Sequence, residues 1–381
     1  MIYLDYAATT PMAPEAIRVY QEVASNYFGN ANSLHTKGTD AANVAQAALS
    51  TLRNTIPDTS VHLTRSGSEA NQHAIDQLLN VHNFKGHILT CRTEHPSIRE
   101  HLQKLIEIYP GLIMEDVPVD EQGHIHPSAV EARIKPDTIL VTFAHVQHEI
   151  GTIRDISAIG EVLTQAGISF HSDCVQSYGK IPIPMKQAGL AAISVAAHKI
   201  HGPKGLGAVF FSKTFQPNDE LPTGTADGPA IAAFAEAAQI QVQKTDDSIT
   251  HTRQLRAKMI ERLPADVQIL GAPADHRQSP YILGLCLPKM EGQEAMLACD
   301  RQGIAIATGS ACRSGDHKPS ETLLALGHTP DKARTFIRLS FSHETCLSEI
   351  EQAATRLTRI RARRLADAEK IEWQGTPTAD R

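Results

Sequence analysis

Lys199, Asp173 and Cys312 stand where side chains of their type could carry chemistry. Lys199 lies in AAHKIHGPKG (196–205), after an apolar strand and before a Gly/Pro turn. A desolvated lysine loses its proton readily and can then form a Schiff base with an aldehyde cofactor. Most lysines are solvated surface charges, so this reading needs support from its surroundings. Asp173 supplies some, because it ends an apolar stretch in HSDCVQ (171–176). Pyridoxal phosphate needs an acid partner for its pyridine nitrogen, so that the protonated ring can act as an electron sink. Asp173 could instead cap a following helix, but with Lys199 one strand further on, the cofactor reading is the better one.

Other residues fit the same picture. Gly67 and Ser68 in TRSGSEAN (64–71) fall where a strand hands over to a helix, and a helix N-terminus offers free N–H donors and a dipole that favours phosphate. A plain N-cap is compatible with that role. His95 in CRTEHPSI (91–98) follows a strand and precedes a proline; it could stack on a flat ring or shuttle protons, although most lone histidines do neither. Cys312 sits in ATGSACRSGDHKPS (307–320), a loop of small, polar and basic residues. Exposure beside Arg313, His317 and Lys318 would favour the thiolate. The other five cysteines, Cys91, Cys174, Cys286, Cys299 and Cys346, lie in apolar or mixed contexts and are expected to be structural, with Cys174 beside Asp173 the one to check. Arg338 in FIRLSF would suit a carboxylate partner through its bidentate fork.

The elements that position these residues follow an α/β rhythm. VHLT (61–64), HILTC (87–91), LIMEDV (112–117), TILVTFAH (138–145), ISFHSD (168–173) and AVFF (208–211) read as strands. Between them, 68–84, 96–109, 127–134 and 155–166 have the spacing of amphipathic helices. Such alternation predicts a mostly parallel sheet with helices on both faces, and ligands at the carboxyl ends of its strands. A polar Pro/Gly break at 212–228 precedes helices at 229–243 and 249–263. A mixed segment follows, with strands at 267–270, 281–287, 303–307 and 335–341 and helices at 292–302 and 347–364. A polar, frayed tail is expected from about 365.

Composition narrows the class. The 381 residues carry 36 Lys+Arg against 42 Asp+Glu, a net charge of −6, which argues against a nucleic-acid groove or an anionic membrane surface as partner. No apolar run approaches the ~20 residues of a membrane-spanning helix. MIYLDYAATTP lacks a basic region ahead of an apolar stretch, so a secretory signal is not expected. The scattered cysteines show no C-x-x-C pair and no disulfide density. A cytoplasmic enzyme is the expectation. The 19 histidines raise the question of a metal site. The pairs His145/His148, His198/His201 and His124/His126 lack companion cysteines or carboxylates at suitable spacing, and no metal is expected.

Taken in order along the chain, these motifs resemble the cysteine desulfurases of the NifS/IscS group, fold-type I pyridoxal-phosphate enzymes. The resemblance spans YLDYAATTP (3–11), FGNANSLH (28–35), TEHPSI (93–98), HEIGTI (148–153), HSDCVQSYGKIPI (171–183), HKIHGPKGLGA (198–208), TGSACRSGDHKPS (308–320) and IRLSF (337–341). It implies a large cofactor-binding domain at 14–250 with a mostly parallel central sheet. A smaller α+β domain from 1–13 and 251–381 would carry the cysteine loop (308–319). It also implies that Lys199 holds the cofactor as a Schiff base, Asp173 pairs with the pyridine nitrogen, Gln176 contacts the phenolic oxygen and His95 stacks on the ring. Gly67, Ser68 and His198 would hold the phosphate, with Thr225 reaching the phosphate of a partner subunit in a homodimer. Asn32 and Arg338 would grip the carboxylate of L-cysteine. Cys312 would accept sulfur as a persulfide, leaving alanine, and pass it to an acceptor protein for iron–sulfur cluster assembly, tRNA thiolation or one client enzyme.

Three positions depart from the group's pattern. His148 stands where an Asn beside the cofactor is usual, Ala196 replaces a phosphate-binding Ser, and the Gly/Arg-rich stretch between the domains is shortened to PNDELPTGTADG (217–228). A lost charged hydrogen bond costs on the order of 1–3 kcal/mol. Two other readings remain open on sequence: a lyase acting on selenocysteine or cysteine sulfinate, for which Cys312 would be dispensable, and a non-catalytic scaffold that no longer binds the cofactor. An aminotransferase would leave the cysteine loop unexplained.

Overall fold

The structure, a computed structural model, describes residues 1–216, 221, 224–271, 276–309 and 319–374, with side chains as far as residue 366. The chain divides into two compact units. The smaller takes Met1–Ala8, Glu149–Gly151 and Thr250–Arg381, and so begins with strand β1 (Ile2–Tyr3). The larger takes Thr9–His148 and Thr152–Ile249. Thr9–Ala13 belong with the larger unit for a visible reason. Thr10 N–H and Oγ1–H both donate to the carbonyl of His198 at 2.9 Å, and Ala13 N–H donates to the carbonyl of His201 at 2.9 Å.

In the larger unit, α1 (Pro14–Asn26) and α2 (Thr36–Thr55) lead into β2 (Thr59–Thr64), α3 (Gly67–Asn80), β3 (Gly86–Thr90), α4 (Pro96–Ile108) and β4 (Leu112–Asp116). Next come α5 (Pro127–Glu131), β5 (Thr138–Ala144), α6 (Ile156–Ala166), β6 (Ser169–Asp173), β7 (Ala192–Ala196), β8 (Gly207–Ser212) and α7 (Gly228–Gln243). The seven strands form one sheet in the order β2-β8-β7-β6-β5-β3-β4. β8 runs antiparallel to both its neighbours, and every other pairing is parallel. Alternate side chains leave a strand on opposite faces, and the core is divided accordingly. Ile88, Leu140, Val209 and Phe211 pack with Ala74, Ile75 and Leu78 of α3 and Leu102 of α4. Leu89, Val141, Phe143 and Phe210 pack with Leu52 of α2, Ile159 of α6 and Phe234 of α7. Both faces are therefore dry, which is why these strands read as near-continuous apolar runs.

The smaller unit is reached through α8 (Thr245–Arg262). Its antiparallel sheet, in the order β12-β10-β9, comprises β9 (Gln268–Ile269), β10 (Ile282–Cys286) and β12 (Phe336–Ser340). Before β12 come α9 (Gly292–Arg301), β11 (Ile304–Ala305), α10 (Glu321–Ala325) and α11 (Pro330–Arg334). β1 pairs in parallel with β11, Ile2 opposite Ile304. Gly151 belongs here and cannot be replaced cheaply. Its φ is +79°, and a Cβ would come 2.8 Å from Nε2 of Gln278.

The apolar strand expected before Lys199 is β7, which carries the lysine out of the sheet. One sequence expectation needs correction. The last helix, α12 (Leu347–Gln374), continues well past 364 into the stretch expected to fray. Its extension, ADAEKIEWQ, is rich in strong helix formers and meets no glycine or proline before Gly375.

Candidate active site

β6 and β7 are parallel neighbours, with Asp173 opposite Ser194. Beyond the carboxyl end of β7 a single 3-10 turn, Ala197–Lys199, presents His198 and Lys199. The turn is held by Thr10 through the His198 carbonyl, and His198 Nδ1 lies 3.1 Å from Thr9 Oγ1. Sheet order thus sets the aspartate and the lysine on adjacent strands at the edge where ligands bind in such folds.

Asp173 is 7% exposed and takes two hydrogen bonds, from Val175 N–H to Oδ1 and from Asn71 Nδ2 to Oδ2, each 2.9 Å. Burial pushes its carboxyl above the usual range, and His95, the Val175 N–H and Asn71 work against that rise. A cationic ring nitrogen would favour the carboxylate further. Asn71 lies in α3, and its Nδ2 also donates to Ser97 Oγ at 2.9 Å. Ser97 is in the first turn of α4, whose N-cap is His95 with Pro96 behind it. His95 Nδ1 lies 2.8 Å from Ser97 Oγ and 3.1 Å from the Ser97 N–H. Burial, and then the Lys199 ammonium, lower the imidazole's basicity, while Asp173 raises it. The His148 ring meets the His95 ring edge-on, centroids 5.4 Å apart.

The surroundings of His198 are cationic. His198 is pushed down to about 4, first by burial and then by the charges of Lys199, Lys180 and Lys204. Ammonium groups grouped around one imidazole make a ready place for an anion. α3 starts beside β7, and a Cβ on Gly67 would stand 2.9 Å from the Ala196 Cβ and 3.1 Å from Val175 Cγ2. Glycine is what allows that helix start to come so close. Ser68 follows it and is exposed. Gln176 is 5% exposed, three residues after Asp173. The donor set fits pyridoxal phosphate: an amine for the aldehyde, a buried carboxylate for the ring nitrogen, an imidazole for the ring, and a helix start with cations for the phosphate. Ala196 contributes no hydroxyl to it.

The remaining expected residues are placed less centrally. Asn32 lies in an exposed turn ahead of α2, its N–H donating to Asn30 Oδ1 at 3.0 Å. Thr225 is exposed shortly before α7. In the smaller unit, Arg338 Nη2 donates to Asp5 Oδ1 at 2.9 Å. Its backbone pairs with Ala307, just ahead of the cysteine loop. Cys312 lies outside the described residues. The near flank of its loop is held by Thr308 Oγ1 donating to the Phe336 carbonyl at 2.8 Å, and the far flank by Ser320 Oγ donating to Glu149 Oε2 at 3.0 Å. The described cysteines divide clearly. Burial drives Cys91, Cys174 and Cys299 up to about 12 and also raises Cys286, so none of these is a thiolate at neutral pH. Cys346 is exposed.

Sequence reading missed Asn71 and Ser97. Both were inside quoted motifs, but an asparagine and a serine on helices look like surface residues until packing brings them together. It also missed the pairing of Glu94 with Arg154, sixty residues apart in sequence.

The chain is similar to known proteins over nearly its whole length. The family described as aminotransferase class-V matches residues 2–222 and 216–353. NifS of Bacillus subtilis (strain 168) is 37% identical over 367 residues, 92% of each chain. The cysteine desulfurase IscS of Dictyoglomus turgidum (strain DSM 6724 / Z-1310) is 30% identical over 390 residues, 98% of each chain. A solved NifS-like protein superposes with a TM-score of 0.85 at 23% identity, covering 95% of this chain and 99% of its own. With the matches running along nearly its whole length, this chain belongs to the class-V aminotransferase family and, within it, to the NifS/IscS cysteine desulfurases.

Proposed function

We propose that the protein is a pyridoxal-phosphate-dependent cysteine desulfurase that takes sulfur from L-cysteine, leaves L-alanine, and holds the sulfur as a persulfide on Cys312. The observation that carries the reading is the grouping of Asp173, His95 and Lys199 at or beyond the carboxyl ends of β6, β3 and β7 of one sheet, close enough that the charges of Asp173 and Lys199 both act on the His95 imidazole. When bound, the cofactor supplies an electron sink for a carbanion at the substrate Cα.

This chain's residues do the rest. Lys199 would hold the cofactor through its aldehyde and supply the amine that moves the Cα proton. Asp173 would pair with the pyridine nitrogen and favour its protonated form. His95 would stack on the ring and stand beside the reacting atoms, its lowered basicity keeping the imidazole neutral. Gly67, Ser68 and His198 would hold the phosphate, Gln176 would contact the phenolic oxygen with His148 beside the cofactor, and Asn32 and Arg338 would bind the substrate carboxylate. The Cys312 thiolate would then attack the substrate sulfur; the sulfur–sulfur bond forms as the carbon–sulfur bond breaks, the bonding pair stays with the substrate Cβ, which takes up a proton, and alanine departs.

A loop cysteine that passes sulfur onward requires an acceptor thiol on another protein, for iron–sulfur cluster assembly or a related sulfur-trafficking step. A homodimer, with Thr225 reaching across to the partner's phosphate, completes the reading. The test is alanine formation from L-cysteine with pyridoxal phosphate and reductant, for wild type beside Cys312→Ser. Activity in the first and loss in the second supports the proposal. Equal activity in both would replace it with a lyase, and a protein that neither binds the cofactor nor forms alanine would replace it with the scaffold reading.

A further inference from the structure

Four side chains form an unbroken hydrogen-bonded line in the larger unit, from Asp173 through Asn71 and Ser97 to His95. Its polarity can be worked out from the ends. An ionised carboxylate only accepts, so the Asn71 atom at Asp173 Oδ2 must be the amide nitrogen. That nitrogen has two hydrogens, and the second goes to Ser97 Oγ, 2.9 Å away. Ser97 Oγ then accepts from Asn71, and its own hydrogen points to His95 Nδ1 at 2.8 Å. The Ser97 backbone N–H converges on the same Nδ1 at 3.1 Å. An imidazole nitrogen that receives two donors has no room for its own hydrogen, so the neutral ring carries its proton on Nε2. Both intermediates are well inside the protein, Asn71 at 1% and Ser97 at 8% exposure. Among the described residues Asn71 Oδ1 finds no partner. The amide thus gives up a buried acceptor to keep both donors in the line, an arrangement that costs free energy.

We infer that Asn71 and Ser97 are positioning residues that let the charge on Asp173 fix the tautomer of His95, so that Nε2–H faces the reacting centre and Nδ1 is held as a pure acceptor. The inference rests on the proposed function only for its consequence; the line of bonds is a property of the fold. It couples the two residues that would flank the cofactor ring, because turning the amide over would set its oxygen against the Asp173 carboxylate and draw the Ser97 hydroxyl hydrogen away from His95.

The groups facing His95 are Asp173, Glu94 and Glu100, which raise its basicity, and Lys199, which together with burial lowers it; the His148 ring lies edge-on. The test is nitrogen-15 NMR of the full chain labelled at histidine, with and without pyridoxal phosphate, with His95 assigned by loss of its signal in His95→Gln. Wild type should show Nε2–H at neutral pH. In Ser97→Ala and Asn71→Ala the His95 midpoint should rise by about one pH unit, the equivalent of one lost hydrogen bond, with Nδ1–H becoming populated. Ser97→Thr, which keeps the hydroxyl, should restore the wild-type signal, and thermal melts confirm that each variant is folded. Nδ1–H in wild type, or an unmoved tautomer and midpoint in both alanine variants, would overturn the inference. The spectrum does not depend on turnover. A chain with the expected tautomer that forms no alanine would count against the proposed function and support the relay.

Discussion

Arg154 and Glu94 form an ion pair from which water is wholly excluded, both side chains at 0% exposure, immediately before His95 in sequence. Arg154 also donates to Thr93 Oγ1 at 2.6 Å and to the Ala144 carbonyl at 3.2 Å, and Glu94 Oε2 accepts from the Ala144 N–H at 2.8 Å. The turn that presents His95 is therefore bonded to the end of β5. Removing one member of a buried pair leaves an uncompensated charge, whereas replacing both with apolar residues of similar size can be neutral. Arg154→Met is expected to lower the unfolding free energy by about 3–5 kcal/mol, and Arg154→Met with Glu94→Leu to recover most of it. Urea unfolding checks this. Equal losses in the single and double variants would show that some contact other than the pair holds the turn.

Acid sensitivity follows from two other histidines. Burial lowers His171 to about 3 and, with help from the Arg154 charge, His145 to about 4. The unfolded chain binds a proton at each near pH 6.5. Below that pH the unfolded state holds more protons than the folded one, so stability falls as pH drops from about 6.5 toward 4 for His145 and toward 3 for His171. His171 is bonded on both sides, to Thr142 Oγ1 and Ser194 Oγ at 2.8 Å each. His171→Gln can keep hydrogen bonds there without titrating, and its unfolding midpoint should depend less on pH across that window. An unchanged slope would place the acid sensitivity elsewhere.

How much of this was legible in sequence depends on distance along the chain. The strands and helices around Asp173 and Lys199 announce themselves through apolar spacing, and the cofactor residues through motifs where residue type and a strand end coincide. Even so, the bounds of the strand ahead of Lys199 are hard to read, because AISVAAHK runs straight into the lysine turn without a break in composition. The helix α2 escaped, since its many alanines, Ala41, Ala45 and Ala48 among them, give a weak apolar stripe. What sequence could not give was side-chain pairing across long separations. Nothing in the types of Asn71 and Ser97 foretells a line from Asp173 to His95, and nothing in Arg154 foretells Glu94. Those relationships exist only once the sheet order has brought α3, α4 and β5 together.

Ala196 offers a gain-of-function test. It ends β7 beside the start of α3, where its Cβ lies close to the space left by Gly67. A hydroxyl there would add one charge-assisted hydrogen bond to the phosphate, worth about 1.5–3 kcal/mol. Ala196→Ser should tighten pyridoxal phosphate at least tenfold, read by fluorescence or absorbance titration of the cofactor-free chain. Weaker binding would mean that the close approach of Gly67 leaves no room for the oxygen, and that this chain binds phosphate through its cations and α3 alone.

Arg338 carries the last prediction, because the structure gives it a partner that sequence did not. Its Nη2 donates to Asp5 Oδ1 at 2.9 Å, the two side chains being 12% and 23% exposed. A guanidinium has five donors in a rigid fork, enough to serve Asp5 and a substrate carboxylate together. On the proposed function, Asp5 would act as the brace that sets the plane of the fork. Arg338→Lys, which cannot offer two parallel donors, should raise KM for L-cysteine about tenfold or more with a smaller change in kcat, the pattern of a lost ground-state contact. Asp5→Asn should raise KM in the same direction by less, since it keeps an acceptor but removes the charge. The sign of that second effect is decisive. A fall in KM would show that Asp5 competes with the substrate for Arg338, and that the pair must open before cysteine can bind.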